Sequence, residues 1–267
     1  MIGKSSVSLA ALGMMLSFTL STNLQAGPAM QYQALGDSYS SGSGTAIRDL
    51  DFSCYRSSGA YAAVVAESDS NIELTAFNAC QGDITDDLIA SQTSTLDRKT
   101  DIVSFSIGGN DVGFVELILN CANYFDEWMC MNTAETIEHR IQFELPDKLQ
   151  AAYADIKQGA PNAQLIQVGY PRMFGSDVSC WAASGINANE AARLNAISDT
   201  LDAVIAAEAA KAGVTYVSTI AAFTGHDVCA DQPYVNGKNF LFIEDVFHPT
   251  ADGHRYGTAP LVLEAIQ

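Results

Sequence analysis

Five short stretches of the chain are rich in β-branched, aromatic and other apolar residues, and helical spacing appears between them. The stretches are MQYQAL (30–35), IELTAF (72–77), DIVSFSIGG (101–109), AQLIQVGYP (163–171) and GVTYVSTI (213–220). Their length and composition predict strands. A helical segment lies around Tyr61 to Glu67, before the second stretch. Between the last two, Leu194, Ile197, Leu201, Val204 and Ile205 recur at helical spacing, and Gly213 is placed to stop the helix. A closing helix is predicted over 258–266. Strands alternating with helices predict an α/β domain: one parallel sheet with helices on both faces. Residues 27–267 read as a single domain, with no repeat, low-complexity tract or linker. The stretch NCANYFDEWMCMN (120–132) reads as an inserted surface loop, and Pro146 must interrupt or restart the helical segment after it.

Residues 1–26 follow another pattern: one basic residue (Lys4), an apolar run to about Leu20, then small and polar residues. This predicts a secretory signal peptide cleaved after Ala26. Leu24 fits poorly two places before that site, which leaves Ala29 as the alternative. Serines and threonines break the run, which is shorter than the ~20 apolar residues of a spanning helix. The expectation is an exported, soluble protein without membrane insertion, either extracellular or periplasmic. The formal net charge of −18 is unsuited to nucleic acid or anionic membranes. It says nothing about assembly, for which a monomer is the simplest expectation.

Six cysteines, Cys54, Cys80, Cys121, Cys130, Cys180 and Cys229, follow the predicted leader. An even count in an exported chain predicts disulfides. Six cysteines allow about 15 pairings. The simplest is sequential, and chain entropy would then contribute about 2.5 kcal/mol for the shortest loop and about 4 for the longest. No C-x-x-C or H-x-H spacing suggests a metal, and no cofactor is expected.

Candidate chemistry clusters just past the first three strands, at GDS (36–38), CQGD (80–83) and GGND (108–111), and in DVFHPTADGH (245–254). In open parallel sheets such strand ends share one rim. A serine hydroxyl needs a base to become a nucleophile. His248 is the best candidate, with Asp245 three residues earlier placed to accept from Nδ1 and fix the tautomer. His226 and His254 lack that carboxylate, and His139 lies in a charged helical segment. Attack on an ester carbonyl creates an oxyanion, for which Ser38 N–H, Gly82 N–H and the Asn110 amide are candidate donors. Asp37 is expected to brace its loop through backbone N–H groups. Asp83, Asp86 and Asp87 read as carboxylates at a helix start rather than metal ligands. Phe114, Phe174 and Trp181 are candidates for an acyl groove, with core packing as the simpler role. No stretch reads as a lid or an amphipathic interfacial segment.

Taken together in this order, GDS with Ser38, Gly82, GGND with Asn110 and DVFH with His248 resemble the SGNH, or GDSL-type, hydrolase family. GDSYSSG, NACQG, GHDVC and FHPTADGH resemble more narrowly its Streptomyces-type branch of secreted esterases and lipases. The resemblance spans residues 36–248. It implies a three-layer α/β/α, flavodoxin-like sandwich with a five-stranded parallel sheet. It also implies three consecutive disulfides, Ser38 as nucleophile and oxyanion donor, and Gly82 and Asn110 as the other donors. His248 becomes the base and Asp245 its orienting acid. Two departures stand out. Gln81 and Asp83 flank Gly82 where relatives often carry small residues, and some relatives replace the acid by a backbone carbonyl. The serine loop differs from the G-x-S-x-G elbow, because Ser40 occupies the place of the second glycine.

The expected activity is hydrolysis of carboxylic esters through an acyl-enzyme, on lipid acyl esters or short-chain esters. Polysaccharide O-acetyl esters are the runner-up. A non-catalytic binding protein of the same fold and a metal-dependent phosphoesterase are the rivals from other classes.

Overall fold

All five predicted strands form and run parallel in one sheet, ordered β2-β1-β3-β4-β5. They are β1 (Met30–Gly36), β2 (Ile72–Phe77), β3 (Ile102–Ser106), β4 (Gln164–Val168) and β5 (Thr215–Val217). This is the strand order of a flavodoxin-like doubly wound sheet. The computed structural model describes residues 3, 27–122, 126–239 and 243–266, and the predicted leader lies outside them apart from Gly3. Three strands end earlier than their apolar runs suggest, β5 at Val217 among them. β3 stops at Ser106, and Gly108 then takes a left-handed φ of 116° to turn into the next helix. β4 stops at Val168, ahead of Pro171, which lacks a ladder donor.

The helices are α1 (Ser38–Ser41), α2 (Tyr61–Ser68), α3 (Thr85–Asp87), α4 (Gly109–Val112) and α5 (Phe114–Cys121). They continue with α6 (Glu127–Phe143), α7 (Leu145–Gly159), α8 (Ala188–Ala212), α9 (Ile220–Phe223) and α10 (Ala259–Ala265). Pro146 starts α7 anew in its first turn. A capping box closes the front of α8, where Asn187 accepts from Glu190 N and Glu190 accepts from Asn187 N. Gly213, at φ 64°, ends it.

Period-two alternation divides the core between the two faces of the sheet. On one face Tyr32, Ala34 and Ile102 join Tyr61 and Val65 of α2 and Val262 of α10. On the other, Leu35, Val103 and Phe105 join Leu117, Ile137, Leu149 and Leu201 from α5 to α8. Among the described residues, no helix is long and apolar enough to cross a membrane.

The disulfides are Cys54–Cys80, Cys121–Cys130 and Cys180–Cys229. The second corrects the surface-loop reading of 120–132. Cys121 ends α5 and Cys130 lies within α6, so the cross-link joins two packed helices. Asp126 starts α6 by accepting from Met129 N. Leu117 and Cys121 on α5, and Cys130 and Ala134 on α6, are buried at i, i+4 spacing, which polar neighbours obscure in sequence.

Candidate active site

The strand order sets the carboxyl ends of β2, β1 and β3 side by side, and GDS, CQGD and GGND follow those ends. Ser38 is the first residue of α1. Its N–H therefore has no acceptor within the helix. Asp37 caps this turn by accepting from Tyr39 N at 3.0 Å.

The other half of the site comes from the last quarter of the chain. His248 Nε2 lies 2.8 Å from Ser38 Oγ, across 210 residues of sequence. Three features aim the ring. Phe247 adopts φ 60°, a left-handed conformation that costs a non-glycine residue roughly 1–3 kcal/mol. It is held there by Phe247 N donating to Asn236 O at 2.9 Å and Tyr39 Oη donating to Phe247 O at 2.6 Å. Asn236 Nδ2 also donates to Gly44 O and to His248 O, tying the histidine loop to the serine loop. Gly44 is needed for this approach: a Cβ there would lie 2.4 Å from Pro249 O and 2.8 Å from His248 Cβ. Gly44 thus makes room for His248.

The expected Asp245 contact to His248 Nδ1 is replaced. Nδ1 donates to the Val246 carbonyl at 3.1 Å. The Asp245 carboxylate is buried and accepts from Gly44 N at 3.3 Å and from Arg48 at 3.2 Å. Arg48 also pairs with Glu244 at 2.9 Å. A cation beside it and a backbone donor in front turn the carboxylate away from the imidazole, leaving the nearer carbonyl to set the tautomer. Burial lowers the His248 pKa to about 4, against the raising effects of the Val246 carbonyl and of the Asp245 charge. The imidazole is thereby neutral at pH 7.

Asn110 lies in α4, and one N–H of its amide donates to Asp83 O at 3.0 Å. The amide carries a second N–H. Gly82 sits in the turn closed by Asp83 N donating to Cys80 O, and Cys54–Cys80 staples that turn. Ser38, Asn110 and His248 line one cleft with Gln81; Gly82 is the next residue along, while Asp245 is withdrawn behind the histidine.

Asp37 is buried and accepts from Tyr170 Oη at 2.5 Å and Ser106 Oγ at 3.0 Å besides its cap bond. Burial raises its pKa to about 7, against those hydrogen bonds. Tyr170 Oη in turn accepts from Gly109 N at 3.1 Å, linking the loops after β1 and β3. Nothing local in the sequence marks Tyr170, Arg48 or Asn236 for these tasks; each acts on a partner more than 60 positions away or in another loop.

The remaining histidines are accounted for elsewhere. His254 is fully buried, accepts from Tyr61 N through Nδ1, and has its pKa lowered by burial to about 3. His226 stacks on Tyr234, and His139 leans on Phe143. Asp87 accepts from Ile84 N at the start of α3, as expected of a carboxylate there. Among the described residues, no group of three or more His, Cys, Asp or Glu is arranged to hold a metal ion.

From Ser38 and His248 the cleft extends as an apolar channel of about 380 Å³. Phe114, Ile118 and Leu119 of α5 line it together with Met173, Tyr170 and Phe247. α5 turns Leu117 and Cys121 to the core and its other apolar residues to the cleft. Two turns are too short for that division to show as a periodicity. Of the three groove candidates Phe114 lines the cleft, Phe174 is buried against Phe247, and Trp181 is exposed.

Residues 34–256 match the GDSL-like Lipase/Acylhydrolase family. The chain is 35% identical to Lipase 1 of Streptomyces coelicolor over 97% of its length and 95% of that protein. It is 37% identical to a lipase of Streptomyces rimosus over 89% of this chain and 87% of the other. Phospholipase A1 from Streptomyces albidoflavus superposes with a TM-score of 0.82 at 33% identity, covering 90% of this chain and all of that one. An acetylxylan esterase from Geobacillus stearothermophilus, at 17% identity and a TM-score of 0.53 over 90% of this chain and 95% of that one, shares the fold.

Proposed function

The chain belongs to the GDSL-like lipase/acylhydrolase family and is an ester hydrolase, and on that premise we propose that it cleaves lipid acyl esters through an acyl-enzyme on Ser38. The observation that carries this reading is the Ser38 Oγ–His248 Nε2 contact of 2.8 Å at the head of an apolar cleft. Ser38 Oγ attacks the ester carbonyl carbon while His248 Nε2 takes its proton. The oxyanion is held by Ser38 N–H, Gly82 N–H and the Asn110 amide, each worth about 3 kcal/mol of barrier. Collapse expels the alcohol, which leaves with the proton from His248. Water then gives a proton to His248 as it attacks the acyl carbon, and collapse releases the acid while His248 returns that proton to Ser38 Oγ.

The Val246 carbonyl orients the imidazole, and Asp245 contributes its charge at a distance. An apolar channel of this size holds a fatty acyl chain and offers a sugar few polar partners, which favours lipid esters over a polysaccharide. We further propose that residues 1–26 are removed on export and that 27–267 act as one domain; the three disulfides support this.

The test compares oxidised mature protein with Ser38→Ala on p-nitrophenyl esters of two to sixteen carbons. The wild type is expected to turn over, most rapidly on long chains, and the variant to lose at least ~10⁴-fold in kcat. Activity confined to the shortest chains would instead make it a short-chain or O-acetyl esterase. An inert wild type would favour a binding protein.

A further inference from the structure

Gln92 ends the turn of helix that follows α3, 2% exposed, and its carboxamide is engaged on every side. Oε1 accepts from Gly36 N at 2.7 Å, and Nε2 donates to Gly36 O at 2.9 Å. The same Nε2 donates to Asp83 Oδ2 at 2.6 Å. Its own backbone carbonyl accepts from Asn78 Nδ2 at 2.9 Å, so the root of the side chain is held as well.

These partners occupy telling positions. Gly36 is the last residue of β1 and precedes Ser38 by two. Its carbonyl also accepts from Cys80 N at 2.9 Å, so Gln92 reinforces the junction of the β1 and β2 loops. Asp83 follows Gly82 directly, and the Asp83 carbonyl receives the Asn110 amide at 3.0 Å. One carboxamide therefore braces the chain close to Ser38 and beside Gly82, and Asn110 is tied to it through the Asp83 residue. We propose that Gln92 is a positioning residue for the oxyanion hole, fixing Gly82 and Asn110 relative to Ser38; this rests on the acyl-enzyme reading above.

The role requires an amide. Oε1 must accept while Nε2 donates twice. A glutamate there would set a carboxylate against the Gly36 carbonyl and the Asp83 carboxylate. A methionine fills the space without a strong donor or acceptor. Neither substitution touches the acyl cleft, so substrate binding should be spared.

The experiment measures kcat and KM on p-nitrophenyl octanoate, inhibition by an alkyl trifluoromethyl ketone, and thermal melting. The variants are Gln92→Met, Gln92→Glu and Asp83→Ala, with Asn110→Ala alongside. The expected result for the Gln92 variants is a kcat roughly 10- to 100-fold lower with KM within about threefold, and a parallel loss of affinity for the ketone, which mimics the tetrahedral adduct. Asp83→Ala, cutting one of the bonds at a half-buried position, should lose about threefold to tenfold in kcat in the same pattern. A kcat within twofold of wild type in folded Gln92 variants would overturn the assignment, as would a loss shared equally by KM. If the Gln92 variants do not fold, Asp83→Ala decides: an unchanged kcat overturns the proposal. If Asn110→Ala leaves kcat intact, the oxyanion reading itself fails; if only Asn110→Ala is impaired, positioning by Gln92 fails alone.

Discussion

The two ends of the cleft obey opposite rules. At the head, polar atoms have assigned partners: Ser38 with His248, His248 with Val246, and both Asp37 oxygens with Ser106, Tyr39 and Tyr170. Along the channel, α5 supplies Phe114, Ile118 and Leu119, which have shape but no hydrogen bonds to offer. The head is built so that atoms stay where they are. The channel gains its energy from burying apolar area, at about 25 cal/mol per Å² and with little demand on direction. The head should therefore determine how fast any ester reacts, and the channel which ester reacts.

Changes at the head should slow all substrates alike. Asn110→Ala is expected to lower kcat about 10²- to 10³-fold on two-carbon and twelve-carbon esters equally; a loss confined to long chains would merge the two regions into one. A change in the channel should discriminate. Ile118→Ala, measured by kcat/KM across the series, is expected to weaken long-chain esters by about tenfold and leave the acetyl ester within twofold. An equal loss on acetyl would show that α5 also supports the head.

The smallest effect tests the displaced carboxylate. Asp245→Asn should reduce kcat/KM less than about tenfold, because the Val246 carbonyl already holds Nδ1. A ~10⁴-fold loss, the scale seen when an orienting aspartate is neutralised, would restore Asp245 to direct service. The pH profile sharpens the same point. His248 acts when neutral, so activity is present above its pKa and lost as pH falls through about 4. The Asp245 charge raises that pKa, so Asp245→Asn should move the acidic limb to lower pH.

Legibility in the sequence followed the range of the interactions. The strands, α2, α8 and its glycine stop arise from local periodicity and capping, and they were readable from residues a few positions apart. Ser38, Gly82, Asn110 and His248 stand out as candidates because each sits in a short motif next to a strand end or in the terminal loop, and the fold brings Ser38, Asn110 and His248 to one cleft. The tautomer partner of His248 was not. D-x-x-H spacing allows a carboxylate contact, but Arg48, 197 residues before Asp245, engages the carboxylate instead. The channel was hidden for a related reason: α5 is amphipathic only with respect to a cleft that Met173 and Phe247 complete from elsewhere. Gln92 is a further case, a polar residue on an unremarked turn whose partners come from the end of β1 and the loop after β2.

The contact between Ser38 and His248 closes over 210 residues, with the base only nineteen positions from the final residue of the sequence. Local folding of the first half of the chain therefore shapes the serine loop without bringing His248 to it. The segment that carries His248 leads into α10, which packs on α2. An ester hydrolase of this design is assembled late, because its two reacting side chains meet only through the folded chain.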